Sequence, residues 1–249
     1  MDAIEMVPTV INGRWTMLLP PHRAERPEWP WWEQERLRSM HDWITTQTIP
    51  PIVYDIGAEE GDMPALYTMW GARTVLFEPN PAVWPNIRAI YEANLVTPHR
   101  WYVGFAGDEG RASEVFNRDH VYNHGNLHWP KCAYGPVIGD HGFCQLWERP
   151  DIPATTIDHF AKVFRDPVDA ITIDCEGSEL RVLQGARRVL EEQRPMVWVA
   201  VHPEFMADQY GDHPDELHEF MVEVGYRGVL LADVHEEHWL FTPKALTYA

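Results

Sequence analysis

Val53-Tyr-Asp-Ile-Gly-Ala-Glu-Glu-Gly61 is read as the end of a short buried strand over 52–56, a glycine turn, and the start of a helix over about 62–70. The spacing is Asp-x-Gly-x-x-x-Gly. Gly57 permits a sharp turn and a close approach of ligand to backbone. Gly61 lets the helix begin close to the strand. A second strand follows, Thr74-Val-Leu-Phe-Glu78, and it ends on an acid. Strand, glycine loop, helix, strand and terminal acid predict the nucleotide-binding half of a doubly wound sheet.

The loop also discriminates among nucleotides. A dinucleotide sets its pyrophosphate on bare amides at a helix N-terminus, and here Asp55, Glu59, Glu60 and Asp62 would repel it. Gly57 and Gly61 stand four apart, so the third glycine of Gly-x-Gly-x-x-Gly is out of place. S-adenosylmethionine has no phosphate, and its sulfonium and ammonium suit an acidic loop. Glu78 is placed to take both ribose hydroxyls. The bland alternative, a tight turn and nothing more, does not account for Glu78. The cofactor-binding set read this way is Asp55, Gly57, Ala58, Gly61, Glu78, Pro79, Asn80, Phe105, Ala106 and Asp174.

Composition narrows the classes. The chain has 249 residues, is 45% apolar and carries 12 Trp, which describes a folded α/β chain with ample core. Net charge is −18, from 38 acids against 20 bases, which argues against nucleic acid and against anionic membranes. No apolar run approaches the ~20 residues of a membrane span. The opening Met-Asp-Ala-Ile-Glu-Met has neither a basic region nor an apolar core, so no secretory leader is expected. Cys132, Cys144 and Cys175 are an odd and sparse set that fits a reducing cytoplasm. Oligomeric state is left open, a homo-oligomer included.

An extension over 1–50 is expected to precede a domain over 51–249. In it, Asn12-Gly13 predicts a type I′ hairpin over 9–19. The proline-rich stretch 20–30 reads as an ordered loop or linker, and 32–45 as a helix with Leu37, Met40, Trp43 and Ile44 on one face. Trp29, Trp31 and Trp32 read as packing, with stacking on a sugar or adenine as the alternative. Further on, a helix over 82–94, a strand over 100–105, a strand over 170–174, a helix running to 192, a strand over 196–201 and a helix over 214–224 alternate. A closing hairpin, 228–231 with 238–241, turns at His235-Glu236. These elements predict a Rossmann-like α/β fold with a mixed sheet of seven strands and helices on both faces.

Residues 117–150 interrupt that rhythm with His120, His124, His128, Cys132, His141 and Cys144. A substrate lid is the preferred reading of this long irregular insertion. Zinc binding and a plain solvated loop are the alternatives, and Gly125 and Pro130 argue against a helical zinc face.

With these pieces in place, the chain resembles the FkbM family of S-adenosylmethionine-dependent methyltransferases. The resemblance rests on Tyr54-Asp-Ile-Gly-Ala58 with Gly61, on Phe77-Glu-Pro-Asn-Pro81, and on Thr155-Thr-Ile-Asp158. It rests most on Ile173-Asp-Cys-Glu-Gly-Ser-Glu-Leu180 with Val182-Leu-Gln-Gly-Ala186, then on His202-Pro203-Glu204 and Gly225-Tyr226. It implies the class I methyltransferase fold and O-methylation of a small-molecule or glycan hydroxyl. The extension and the insertion depart from the family pattern and bear on substrate choice.

Methyl transfer to a hydroxyl requires positioning and a proton acceptor. Asp174, Glu176 and His202 are the catalytic candidates, with His202 as a base of ordinary pKa near ~6.5. Glu179 reads as a first-turn acid favouring its helix dipole. Some sugar methyltransferases of this fold use a divalent ion, and the resemblance admits Mg2+ with Asp174, Glu176 and Glu204 as oxygen ligands. A methyltransferase-fold scaffold without catalysis is the competing reading. An N-methyltransferase is disfavoured because Asp174-Cys-Glu-Gly replaces an Asn/Asp-Pro-Pro-Tyr-type loop, and an NAD-dependent oxidoreductase is disfavoured by the acidic loop.

Overall fold

The strand β3 (Ile52–Ile56) is buried over its whole length. This is what parallel neighbours on both edges and helices on both faces require. The computed structural model describes residues 5–109, 121–122, 129 and 152–245. Before β3 lie β1 (Val7–Ile11), β2 (Trp15–Leu19), α1 (Pro21–Ala24) and α2 (Gln34–Thr46). After it come α3 (Asp62–Met69), β4 (Arg73–Phe77), a 3-10 turn at Pro81–Val83, α4 (Trp84–Ala93), β5 (Arg100–Tyr102), β6 (Phe105–Ala106) and β7 (Val121–Tyr122). The second half holds β8 (Ala154–Thr155), α5 (Ile157–Phe164), β9 (Ala170–Ile173), α6 (Glu179–Gln184), α7 (Arg187–Glu192) and β10 (Met196–Val201). A short turn α8 (Pro203–Phe205), α9 (Pro214–Glu223), β11 (Tyr226–Asp233) and β12 (Glu237–Pro243) complete it.

The main sheet runs β11-β12-β10-β9-β3-β4-β5-β7. From β10 to β5 the strands are parallel, whereas β12, β11 and β7 are antiparallel to their neighbours. The seven predicted strands are all present, and β7 adds an eighth at the β5 edge. Alternation along β3 sorts the two faces. Ile52, Tyr54 and Ile56 pack with α5, α6, α7 and α9 residues such as Phe160, Leu183, Val189 and Leu217. Val53 packs on the other face with Ile11, Leu37, Met40, Leu66 and Ile87. The extension therefore shares a core with α3 and α4. Asn12 and Gly13 both have positive φ, as the predicted turn requires.

Three expectations needed correction. The third strand does not run from 100 to 105. It breaks after Tyr102, and β6 pairs instead with β8 in a separate ribbon. Gly104 marks the break: a Cβ there would meet the Tyr102 ring at 2.5 Å and the Pro153 carbonyl oxygen at 2.6 Å. The helix expected to run to 192 is two helices that meet at Gly185-Ala186, and a Cβ on Gly185 would lie 1.9 Å from the Gly107 carbonyl oxygen. Thr155-Thr-Ile-Asp158 is a capping device. Thr156 accepts from His159 N, and the Asp158 carboxylate accepts from the amides of Arg188 and Val189 in the first turn of α7. The proline-rich stretch also contains a helical turn, α1, that buries Arg23.

Candidate active site

The order of the sheet reverses between β3 and β9, and a crevice opens beyond their carboxyl ends, as it does in open α/β sheets generally. It forms a cavity of about 550 Å³. Asp55, Gly57, Ala58, Glu78, Pro79, Asn80, Phe105, Ala106, Asp174, Glu176 and His202 all line it, so nearly the whole predicted set converges. Gly61 is not among the lining residues.

The glycines are used differently from the expectation. Gly57 has φ +86°, and a Cβ on it would sit 1.8 Å from the Asp174 carbonyl oxygen. The close approach there is by the end of β9. The amides of Gly57 and Ala58 both donate to the Phe77 carbonyl, at 3.0 and 3.1 Å, which ties the loop to β4. Gly61, at φ +87°, makes room for Ile87 of α4, whose nearest atom would be 3.0 Å from a Cβ.

The acidic loop is compensated from the extension, which the sequence reasoning missed. Arg23 is 1% exposed and its guanidinium forks between two loop acids. Nη1 and Nη2 donate to the Glu59 oxygens at 2.9 and 3.0 Å, and Nε donates to Asp62 Oδ2 at 2.7 Å. His22 Nε2 lies 2.6 Å from Glu60 Oε2, and Asn86 donates to the same oxygen. Of the four acids invoked against a pyrophosphate, Glu59, Glu60 and Asp62 are therefore paired. The electrostatic case against a dinucleotide is weaker than composition implied.

Glu78 ends β4 as predicted. Its Oε2 accepts from the Glu59 amide at 3.0 Å and its Oε1 from the Asn80 amide at 2.6 Å. Burial pushes the Glu78 carboxyl up to about 8, against the pull of those two amides. Asp55 is buried beside it with Oδ2 lacking any hydrogen-bond partner among the described residues. Its carboxyl is likewise pushed up to about 8, chiefly by burial, with Arg36 opposing.

The opposite wall is built around Asp174 and His202. Arg36 of α2 is fully buried; it donates to Glu33 Oε2 at 2.9 Å, Asp174 Oδ2 at 3.1 Å and Thr172 Oγ1 at 2.5 Å. His202 Nδ1 lies 2.9 Å from Glu179 Oε1, and Nε2 lies 2.6 Å from Glu236 Oε2 and 3.8 Å from Asp174 Oδ1. Burial would lower its pKa, but hydrogen bonds to Glu179 and Glu236 and the Asp174 charge outweigh that and raise it to about 11. His202 is thus held as an imidazolium between carboxylates and is not the free base of ordinary pKa that its type implied. Glu179 is the first-turn acid of α6, as read from the sequence; it is also fully buried, accepts from the Gly177 amide at 2.9 Å and holds His202. Glu176 lines the cavity from an exposed position at φ +53°. Glu204 is exposed and does not line the cavity, so it does not join Asp174 as a metal ligand.

Arg36, Glu33 and Glu236 are the other site residues missed from sequence. Trp29 packs in the core and Trp31 is exposed, whereas Trp32 lines the cavity. The histidines and cysteines at His120, His124, His128, Cys132, His141 and Cys144 lie outside the described residues, so neither the lid nor the zinc reading is addressed. No helix among the described residues is long and apolar enough to cross a membrane.

The sequence profile of the methyltransferase FkbM domain matches residues 55–227. That range leaves Arg23, Glu33, Arg36 and Glu236 outside it. No curated protein matches the chain. Among solved structures, a methyltransferase FkbM from Methylobacillus flagellatus is 18% identical with a TM-score of 0.47, the alignment covering 78% of this chain and 43% of that one. This chain thus spans under half of that protein's length. The precorrin-6y C5,15-methyltransferase of Geobacter metallireducens is 13% identical, covering 85% of this chain and 89% of that one, with a TM-score of 0.44. The magnesium protoporphyrin IX methyltransferase of Synechocystis, solved with bound S-adenosylmethionine, is 9% identical, covering 85% and 80%, with a TM-score of 0.49.

Proposed function

The chain belongs to the FkbM-domain methyltransferase family, and from that premise we propose that it binds S-adenosylmethionine and methylates a hydroxyl of a small molecule or glycan. The observation that carries the cofactor assignment is Glu78. Its two oxygens are each fixed by a backbone amide at the end of β4, at the edge of the cavity. Each oxygen retains a lone pair for a ribose hydroxyl. Asp55 Oδ2, buried and without a partner among the described residues, suits the cofactor's ammonium. A cavity of about 550 Å³ is of the size that takes a nucleoside-bearing cofactor. Phe105 and Ala106 are among its apolar lining residues and offer a surface for the adenine.

Bound S-adenosylmethionine supplies an activated methyl group, which ends on an acceptor oxygen and leaves S-adenosylhomocysteine. The protein's part is then to position the acceptor and remove one proton. Asp174, oriented by Arg36, holds the acceptor hydroxyl, and His202 sits beside it as a fixed positive charge. Glu176, the solvent-facing carboxylate of this wall, takes the proton. Trp32 and Glu33 from the extension over 1–50, with the insertion over 117–150 of the domain spanning 51–249, set which acceptor enters. Mg2+ assistance through oxygen ligands alone is disfavoured, because Glu204 lies elsewhere.

The test is a screen of glycosides and hydroxylated aromatics with isotopically labelled S-adenosylmethionine, the product identified by NMR. The proposal expects methyl on oxygen, and a Glu176→Gln variant slower by about 10²–10⁴-fold with unchanged cofactor affinity. Methyl on nitrogen or carbon contradicts the acceptor class. Cofactor binding with no transfer to any acceptor supports the scaffold reading instead.

A further inference from the structure

One donor atom each from Asp174, His202 and Glu236 comes within 4.8 Å of the other two on the cavity wall. We propose that these three side chains bind a divalent cation of the nitrogen-accepting first-row class, such as Mn2+, Fe2+, Co2+ or Zn2+. The ion's binding stands on geometry alone. Its role, presenting the acceptor hydroxyl, rests on the methyl-transfer reading.

The ion takes the place of the proton that Nε2 shares with Glu236, and binding releases that proton to solvent. The imidazole is oriented for this. Glu179 Oε1 holds Nδ1 at 2.9 Å, which directs Nε2 toward Asp174 and Glu236. Glu179 is itself fully buried, pinned by the Gly177 amide, and its Oε2 has no partner among the described residues. A carboxylate on the far nitrogen, fixing tautomer and ring orientation, is the arrangement that stands behind metal-bound histidines. The two carboxylates are held from behind as well. Asp174 Oδ2 is engaged by Arg36 at 3.1 Å, and Glu236 Oε1 lies 2.7 Å from His238 Nε2 and 3.3 Å from His235 Nε2. Each carboxylate therefore turns its other oxygen to the shared point.

The spacings agree. Donors bound at about 2.1 Å on adjacent vertices of a metal stand about 3 Å apart. The Nε2 distances of 2.6 Å to Glu236 and 3.8 Å to Asp174 bracket that value. All three ligands lie one residue from a strand: Asp174 after β9, His202 after β10, and Glu236 before β12. Anchorage next to strands holds a ligand set more rigidly than a long loop does. An imidazole among the ligands selects against Mg2+, which takes oxygen donors. Three protein ligands leave coordination positions open toward the cavity. Such an ion suits an acceptor that offers two neighbouring oxygens, such as a vicinal diol or a hydroxy acid.

The experiment is calorimetric titration of the full chain, stripped with EDTA and dialysed, with MnCl2 and separately with MgCl2, without cofactor or acceptor. The expected result is one Mn2+ per chain and Mg2+ at least tenfold weaker. Glu236→Gln and His202→Ala should each weaken Mn2+ at least tenfold, and Glu179→Gln, acting through His202, by about 10–100-fold. Glu204→Gln should leave it unchanged. Circular dichroism checks folding, and Glu236→Gln decides the matter if His202→Ala does not fold. Absence of Mn2+ binding, binding indifferent to Glu236→Gln, or Mg2+ as tight as Mn2+ overturns the proposal. S-adenosylmethionine titrated into the same stripped sample separates the two readings. Mn2+ binding without cofactor binding refutes methyl transfer and keeps the metal, whereas the converse refutes the metal alone.

Discussion

Arg23→Met removes the buried cation that organises the glycine loop. Arg23 and Asp62 are 1% and 2% exposed, so truncation strands the Asp62 carboxylate without its partner. Leaving one member of a buried pair uncompensated costs about 3–5 kcal/mol. The arm to Glu59 adds little, at most about 1 kcal/mol, because that carboxylate is half exposed and screened. For a chain of this length the loss corresponds to a fall in Tm of roughly 6–20 °C. The effect should reach the cofactor site, because the amide of Glu59 donates to Glu78 Oε2. The assay is urea denaturation of wild type, Arg23→Met and the double variant Arg23→Met/Asp62→Asn. The double variant should recover most of the loss, since the stranded charge is gone. A single-variant loss below about 1 kcal/mol, or a double variant no more stable than the single, would refute the reasoning.

Gly57→Ala should destabilise far beyond the about 1–2 kcal/mol that positive φ costs an L-residue, because its Cβ meets the Asp174 carbonyl oxygen; Gly13→Ala, at φ +63° with nothing within 4 Å, is the control, and equal melting temperatures would contradict this. Asp158→Ala should cost about 1 kcal/mol by uncapping α7, measured by urea denaturation, with cofactor affinity unchanged. Asp55 and Glu78 both have carboxyls raised to about 8, so the free protein binds more protons than the unfolded chain above about pH 4.5. The stability they lend is complete below the unfolded carboxylate values and is lost as pH rises toward 8. Binding of a cationic cofactor draws on the ionised forms, so affinity should rise about tenfold per pH unit below 8 for each coupled proton, with proton release seen in buffers of differing ionisation enthalpy. A flat profile from pH 6 to 8 would sink that assignment.

The strands were legible where local chemistry suffices. β3, β4, β9 and β10 are β-branched and apolar runs closed by Gly, Pro or an acid, and each was placed to within a residue. Glu78 was legible because its place follows from the strand-loop-helix-strand spacing alone. Residues delivered by tertiary approach were not. Arg36 reaches Asp174 across 138 positions, and Arg23 reaches Asp62 across 39, with no periodicity linking either pair. Glu236 read as a turn residue because only the antiparallel return of β12 along β10 carries it to His202. The same limit explains His202: its residue type implies a free base, and only the carboxylates of Glu179 and Glu236 remove that role. The breaks at Gly104 and Gly185 were invisible because each answers a contact with a distant segment.

The most direct test is calorimetric titration of wild type and Glu78→Gln with S-adenosylmethionine, S-adenosylhomocysteine and NAD. The account predicts that wild type binds both sulfur ligands and not NAD. It predicts that Glu78→Gln, which keeps one acceptor oxygen and loses the charge, weakens both by at least about tenfold, the worth of one charge-assisted hydrogen bond. NAD binding by wild type, or sulfur-ligand affinities untouched by Glu78→Gln, would contradict it.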